Sequence, residues 1–310
     1  MNEDQKLDEG NLFLKRKDFL KSIAKASGAF VLLDHANMLT HLSSRQRNKD
    51  YTVQEIIDLF LKEIPGAPFP NTVDTIKSGS GNQRVTGIVS TMFATVRVIN
   101  EAAKLGANFI IVHEPTFYNH TDDTNWVNNN QVVKMKQDLL QKNNMAVWRF
   151  HDGWHSYKPD GIVYGFAKAM NWLPYYKSGS HILEIPTVSL IELINQLKTT
   201  LGADHLRYIG DPTQSCARIG LMPGAAGGQT QISLMEKEKP DVLIVGELHE
   251  WETAEYVRDA RMLGFKSALI DLGHAVSEEA GMVWLAEWLQ PKIPGIKVTH
   301  IASKDPFNWG

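Results

Sequence analysis

The stretch Asn108-Phe109-Ile110-Ile111-Val112-His113-Glu114-Pro115 contains four consecutive apolar residues, followed at once by an imidazole and a carboxylate. A short continuous apolar run of this kind is typical of a strand that is buried on both faces of a parallel sheet. The stretch therefore predicts a buried strand over 108–112, with His113 and Glu114 at its carboxyl end.

Strand-like and helix-like patterns alternate on both sides of this stretch, which is typical of a layered α/β fold. The predicted strands are 84–90, 108–112, 145–150, 217–221, 241–245, 266–271 and 296–301. The predicted helices are 53–64, 93–105, 131–141, 162–170, 187–201, 229–238, 251–263 and 277–289. The second half repeats the order of the first and no low-complexity linker divides them. We therefore expect residues 51–310 to form one α/β/α unit with a mixed sheet, built from two similar halves.

Residues 1–49 differ in character from the rest and form a leader in this interpretation. A charged segment, 16–21, precedes a modestly apolar segment, 23–33, which is the order found in export signals. Residues 16–21 also resemble a twin-arginine signal in which Lys17 replaces the second arginine. The pattern favours export to the periplasm; the alternative is an amphipathic helix at the start of a cytoplasmic protein.

Composition excludes several classes of protein. The 310-residue chain has a net charge of −3, so it carries no basic field of the kind that general nucleic-acid binding requires. The sequence contains no apolar run long enough for a transmembrane span. A single cysteine, Cys216, excludes an internal disulfide framework and an iron–sulfur cluster.

Several of the eleven histidines follow predicted strands, and each has a carboxylate nearby. The residues concerned are His113 with Glu114, His151 with Asp152 and His155, Glu247 with His249, and His274 with Glu278. Ligands of α/β proteins gather at the carboxyl ends of the strands, so these groups are expected to converge there. The pattern thus predicts a single site to which four strands contribute.

Imidazoles and carboxylates that meet at one edge are costly to bury unless a cation neutralises them. This mixture of ligands suits Zn, Fe, Mn or Co and argues against Ca or Mg. Five or six ligands exceed the number that one tetrahedral zinc uses. We therefore expect two divalent ions, a pair that can activate a water molecule for hydrolysis.

These motifs resemble the NIF-three-like family, also called GTP cyclohydrolase I type 2-like or dinuclear-metal-centre hexameric proteins. The resemblance covers residues 51–310 and rests on four segments: 113–115, 151–155, 246–249 and 273–278. It implies an α/β fold with internal duplication, a homohexamer, and two metal ions at the strand ends. It also implies metal-dependent hydrolysis of a small, nucleotide-like or heterocyclic substrate.

The resemblance assigns roles to individual residues. The implied metal ligands are His113, Glu114, His155, His274 and Glu278, with Glu278 as the bridging carboxylate. Glu114 stands where the family usually has histidine, and His155 stands where it usually has aspartate. The candidate acid–base residues are Glu247, His249 and His151, of which His151 is interpreted as orienting a ligand or moving protons.

Two alternatives stay open from the sequence. A non-catalytic oligomeric scaffold or metallochaperone would use the same ligands without hydrolysis. The glycine-rich segment 224–228 could bind a phosphate on the amides of the following helix, or simply connect a strand to that helix.

Overall fold

A computed structural model describes residues 50–127 and 129–308, and these form two five-stranded sheets flanked by helices. The predicted leader, 1–49, lies outside the described residues. The strands are β1 (Ile76–Ser78), β2 (Ile88–Thr91), β3 (Phe109–Val112), β4 (Ala146–Arg149), β5 (Ile182–Ser189), β6 (Arg207–Ile209), β7 (Ser215–Met222), β8 (Val242–Val245), β9 (Ala268–Asp271) and β10 (Val298–His300).

Each sheet has three consecutive parallel strands at its centre. The strand order is β1-β4-β3-β2-β10 in the first sheet and β5-β7-β8-β9-β6 in the second. Strands β1, β5 and β6 pair antiparallel with their neighbours, and the remaining pairs are parallel. The predicted α/β fold with internal duplication is confirmed, with two mixed sheets in place of a single one.

The sequence patterns missed the three antiparallel edge strands. Residues of β1 and β6 are half-buried or exposed, so their sequences lack the apolar run that reveals a strand covered on both faces. The predicted helix over 187–201 is also too long at its start. Residues 187–189 belong to β5, and the helix begins after Ser189, whose side chain forms a capping box with Glu192.

Helices cover both faces of each sheet. They are α1 (Val53–Leu61), α2 (Val96–Lys104), α3 (Gln131–Lys142), α4 (Asp152–Ser156), α5 (Gly161–Ala169), α6 (Leu190–Leu201), α7 (Gly228–Glu238), α8 (Glu255–Met262) and α9 (His274–Leu289). In the first sheet, α1 and α9 share one apolar core with the strands, and α2 and α3 share the other. In the second sheet, α5 and α6 cover one face, while α7 and α8 cover the other. Within the described ranges, no helix combines the length and apolarity that crossing a bilayer requires.

Helix α9 connects the two halves of the fold. It follows β9 of the second sheet, yet its Met282 carbonyl accepts a hydrogen bond from Ser90 Oγ of the first sheet at 2.5 Å. It also crosses α5 closely, because a side chain at Gly165 would overlap the backbone of Gly281. The first five residues of α9, which include His274 and Glu278, thereby lie beside His113 and Glu114 of the first sheet.

Candidate metal centre

The carboxyl ends of the parallel strands supply one cluster of imidazole and carboxylate groups. The first sheet contributes His113 and Glu114 directly after β3, and His151 and His155 after β4. The second contributes the start of α9, directly after β9. The clustered side chains are His113, Glu114, His151, His155, His274 and Glu278. All five predicted metal ligands are therefore in this cluster, together with His151.

His274 lies between two carboxylates. Its Nε2 atom is 3.3 Å from Glu114 Oε1 and 3.2 Å from Glu278 Oε2. Glu278 Oε2 is also 3.7 Å from His113 Nε2. Glu278, the predicted bridging residue, thus faces one imidazole from each sheet.

Three imidazoles form the other side of the cluster. The ring centroids of His113, His151 and His155 lie 4.7 to 5.0 Å apart. One ligand atom from each of these residues lies within 4.8 Å of the others, and the same holds for His113, Glu114 and Glu278. Two overlapping groups with His113 in common therefore satisfy the spacing of a metal site.

Three buried atoms of the cluster make no hydrogen bond of good geometry, although two of them lie close to each other: His113 Nε2, His274 Nε2 and Glu278 Oε2. Buried polar atoms nearly always have a partner, since leaving one without a partner costs about 1–3 kcal/mol. Imidazole nitrogens and carboxylate oxygens are also ligands for divalent transition metals. The residues present therefore fit a divalent cation.

The protonation equilibria show how strongly this cluster depends on positive charge. Burial, with the neighbouring His155 and His151, holds the pKa of His113 well below its usual value. Burial also opposes the charge on His274, but Glu114, Glu247 and Glu278 outweigh it and raise its pKa to about 12. With no cation bound, these carboxylates therefore favour a proton on His274, and a divalent cation at Nε2 would take the place of that proton.

Arg149, which no sequence pattern indicated, contacts the cluster from its buried side. It is the last residue of β4, and its side chain is fully buried. Its Nε donates to the His113 carbonyl at 3.1 Å, and its Nη2 donates to Glu114 Oε2 at 3.3 Å. Its Nη1 lies 3.5 Å from Asp122 Oδ2. An arginine inside an apolar strand is the signal that could have identified it, because a buried charge needs a partner.

Carboxylates also fix the segment that carries His151 and His155. Asp74 accepts hydrogen bonds from the backbone N–H groups of His151, Asp152 and Gly153 at 2.7 to 3.0 Å. Asp160 Oδ2 lies 3.0 Å from His155 Nδ1. Burial would lower the pKa of His155, but Asp160 outweighs it and raises that pKa.

The glycine-rich segment 224–228 packs against the cluster. The Gly224 N–H donates to Ser277 Oγ at 3.0 Å, and a side chain at Gly224 would overlap the Glu278 carboxylate. Gly224 also has φ +66°, which favours glycine. The contact with Glu278 thus explains why residue 224 has no side chain, and this explanation requires no bound phosphate.

The candidate acid–base residues lie in different places. Glu247 Oε2 is 3.5 Å from His274 Nδ1, at the exposed side of the cluster. The His249 ring stacks on Trp251 at 4.8 Å, and its Nδ1 is 3.3 Å from Glu252 Oε2. Glu247 therefore contacts the cluster directly, whereas the described contacts of the His249 side chain are with its own segment.

A cavity of about 610 Å³ adjoins the cluster at His274 and Glu247. Apolar side chains such as Phe93, Leu248 and Phe307 line most of it. Binding sites for small molecules combine apolar walls with a few polar groups in this way.

Comparison with known proteins gives consistent results. A protein from Clostridium perfringens named GTP cyclohydrolase 1 type 2 homolog is 27% identical over 244 residues, covering 74% of this chain and 88% of that protein. The protein of the same name from Escherichia coli K12 is 26% identical over 237 residues, covering 73% and 87%. Among solved structures, a Bacillus cereus protein related to NIF3 matches with a TM-score of 0.67 at 16% identity, covering 85% of this chain and all of that one.

The sequence profile of one family matches residues 72–306, which include both sheets and every residue of the cluster. The predicted resemblance is thus confirmed. This chain belongs to the Duf34/NIF3 (NGG1p interacting factor 3) family.

Proposed function

We propose that this protein holds two divalent metal ions, drawn from Zn, Fe, Mn and Co, and is a metal-dependent hydrolase. The observation that carries the proposal is the convergence of imidazoles and carboxylates from both sheets around three buried atoms that lack hydrogen-bond partners. The ligands would be His113, Glu114, His155, His274 and Glu278. Two bound ions would make a water molecule acidic enough to act as a nucleophile at neutral pH.

The residues beside the ligands have separate tasks in this proposal. Glu247 holds His274 from its Nδ1 side and faces the cavity, so it is placed to accept a proton from water. The hydrogen bond from His274 outweighs the effect of burial and lowers the pKa of Glu247, which keeps this carboxylate ionised at neutral pH. Arg149 holds Glu114 in place from the buried side.

The size and lining of the cavity favour a small, largely flat substrate. Its apolar walls suit a ring system, and Arg207 and His205 are among its polar lining groups. The curated relatives are named as homologs of a GTP cyclohydrolase, which supports a nucleotide-like or heterocyclic compound as the substrate class.

Metal analysis tests the proposal directly. Protein purified without chelator is expected to contain close to two metal ions per chain, and His274→Ala is expected to lose most of this metal. The metal-loaded protein is then incubated with GTP and related heterocycles, with Glu247→Gln as the variant expected to retain metal and lose turnover. Wild-type protein that contains no metal after this purification would contradict the proposal. Full metal loading without hydrolysis across a broad screen would favour the scaffold interpretation.

We also propose the assembly and the location that the sequence implies. A homohexamer is expected from the family resemblance, and light scattering on the eluting protein would contradict it by giving another mass. Export is expected from segments 16–21 and 23–33. Recovery of the chain in the cytoplasm with an intact N-terminus would contradict export.

A further inference from the structure

The three imidazoles of the cluster are held in the same way. Their Nδ1 atoms each lie beside an oxygen acceptor: the Phe150 carbonyl for His113 at 3.1 Å, Asp152 Oδ1 for His151 at 2.9 Å, and Asp160 Oδ2 for His155 at 3.0 Å. In the neutral ring, a hydrogen on Nδ1 leaves Nε2 as the atom with a free lone pair. The surroundings therefore orient all three rings so that Nε2 is available as a ligand atom.

The positions of these Nε2 atoms match this orientation. His113 Nε2 is buried and has no hydrogen-bond partner. His151 Nε2 approaches the other half of the cluster, 3.6 Å from Glu114 Oε1. Acceptors behind the rings are the usual support of metal-binding histidines, because they fix the tautomer and the ring direction.

The carboxylate side of the cluster has a different composition. Glu114 and Glu278, which form the second group with the shared His113, also face His274, whose Nε2 lies 3.3 and 3.2 Å from their oxygens. The two groups are adjacent, because Glu278 Oε2 is 3.7 Å from His113 Nε2. One side of the cluster is thus formed by nitrogen ligands and the other side mainly by oxygen ligands.

We propose that His113, His151 and His155 form a nitrogen-only metal position, that Glu114, His274 and Glu278 form a carboxylate-rich one, and that the two positions select unlike metals. The inference rests on the proposed two-metal function and changes one assignment, because His151 becomes a ligand. Asp152 and Asp160 become positioning residues. Imidazoles favour Zn²⁺, whereas carboxylates suit the harder Mn²⁺.

Sequential loading of the full chain tests this inference. Metal-free protein receives one equivalent of Zn²⁺ and then one of Mn²⁺, and both are measured by mass spectrometry after dialysis. We expect one of each to be retained, with the manganese signal in electron paramagnetic resonance showing protein-bound Mn²⁺.

Paired variants make the test specific to each position. His151→Gln is expected to lose Zn²⁺ and retain Mn²⁺, and Glu114→Gln is expected to do the reverse. Asp160→Asn is expected to weaken Zn²⁺ binding by about 10- to 100-fold while Mn²⁺ binding stays the same. His181→Gln, at an exposed histidine outside the cluster, is the control and is expected to change neither. The opposite losses could not arise from general misfolding, which would remove both metals.

Other results would overturn the inference. Equal loss of both metals in His151→Gln and Glu114→Gln, or unchanged Zn²⁺ affinity in His151→Gln, would show that the positions are not separate as proposed. The proposed function would survive either result if two ions still bind the wild type and support turnover. Conversely, selective loading of Zn²⁺ and Mn²⁺ without any hydrolysis would support this inference and contradict the hydrolase.

Discussion

Arg149 Nη2 donates a hydrogen bond to Glu114 Oε2 across 3.3 Å, in a place where the arginine is fully buried. The other oxygen of the same carboxylate, Oε1, faces His274 Nε2 at 3.3 Å. Burial would raise the pKa of Glu114, but His274, with His151 and Arg149, outweighs it and lowers that pKa. A carboxylate at this position is therefore ionised, with one oxygen held by arginine and the other directed into the cluster.

Replacing Arg149 by methionine should destabilise the protein by about 3–5 kcal/mol, because Glu114 then stays buried without its arginine partner. The free energy of unfolding in urea measures this loss. The double variant Arg149→Met/Glu114→Gln should lose less than the sum of the single variants, since neither charge remains. Arg84→Met removes an exposed partner of Asp50 and should cost less than about 1 kcal/mol. Strict additivity of the two buried substitutions would contradict the coupling.

Gly224→Ala should weaken metal binding and also lower the stability of the fold. The new methyl group would overlap the Glu278 carboxylate, and the backbone has φ +66°. Gly202→Ala is the matched control, because Gly202 has φ +68° and no atom within 4 Å of the added carbon. Both substitutions share a backbone cost of about 1–2 kcal/mol. We expect metal titration to show weakened binding for Gly224→Ala alone, and equal affinities in the two variants would argue against contact with Glu278.

Asp74→Asn should loosen the segment that carries His151 and His155. The two oxygens of Asp74 accept hydrogen bonds from three backbone N–H groups. Asparagine keeps one of these oxygens, but its NH2 group replaces the other and then faces a backbone N–H donor. A loss of about 1–3 kcal/mol in the free energy of unfolding is expected, as for an unsatisfied buried group. Asp211→Asn, which alters an exposed turn at Thr213, should change stability far less. If both variants unfold at the same urea concentration, Asp74 does not have this anchoring role.

Lys136 should give the protein a distinctive dependence on pH. It is 5% exposed, its Nζ donates to the Thr116 carbonyl at 2.6 Å, and burial lowers its pKa to about 8. Between this value and the ordinary lysine pKa of 10.5, the unfolded chain binds the proton and the folded chain does not. The free energy of unfolding should therefore rise with pH in this window, by at most about 3 kcal/mol.

The comparison with Lys136→Met isolates this effect. The difference in unfolding free energy, wild type minus variant, should increase from pH 8 to pH 10, because only the wild type gains from losing the proton. Lys134→Met changes an exposed lysine of the same helix and should show a constant difference. A flat profile for Lys136→Met would mean that the folded and unfolded proteins bind this proton equally well.

Local sequence predicted the elements whose residues are buried on both sides. Strands β3, β4, β8 and β9 were expected because continuous apolar runs such as 109–112 carry their own signal. Edge strands β1 and β6 were missed because their residues are half-buried or exposed and so form no continuous apolar run. Likewise, the predicted ligands were recognisable because they lie within a few residues of the end of a strand, whereas Arg149 and Asp74 act through partners distant in the chain.

The sequence by itself determined the alternation of strands and helices, the family, and the residue types at the strand ends, since periodicity and motif order are properties of neighbouring residues. Only the tertiary structure decided which of those residues meet. Helix α9 carries His274 and Glu278 from the second sheet to His113 and Glu114 of the first, and Asp152 and Asp160 orient His151 and His155. Such contacts depend on how the layers stack and on which buried charges find partners, and no local pattern of residues specifies that.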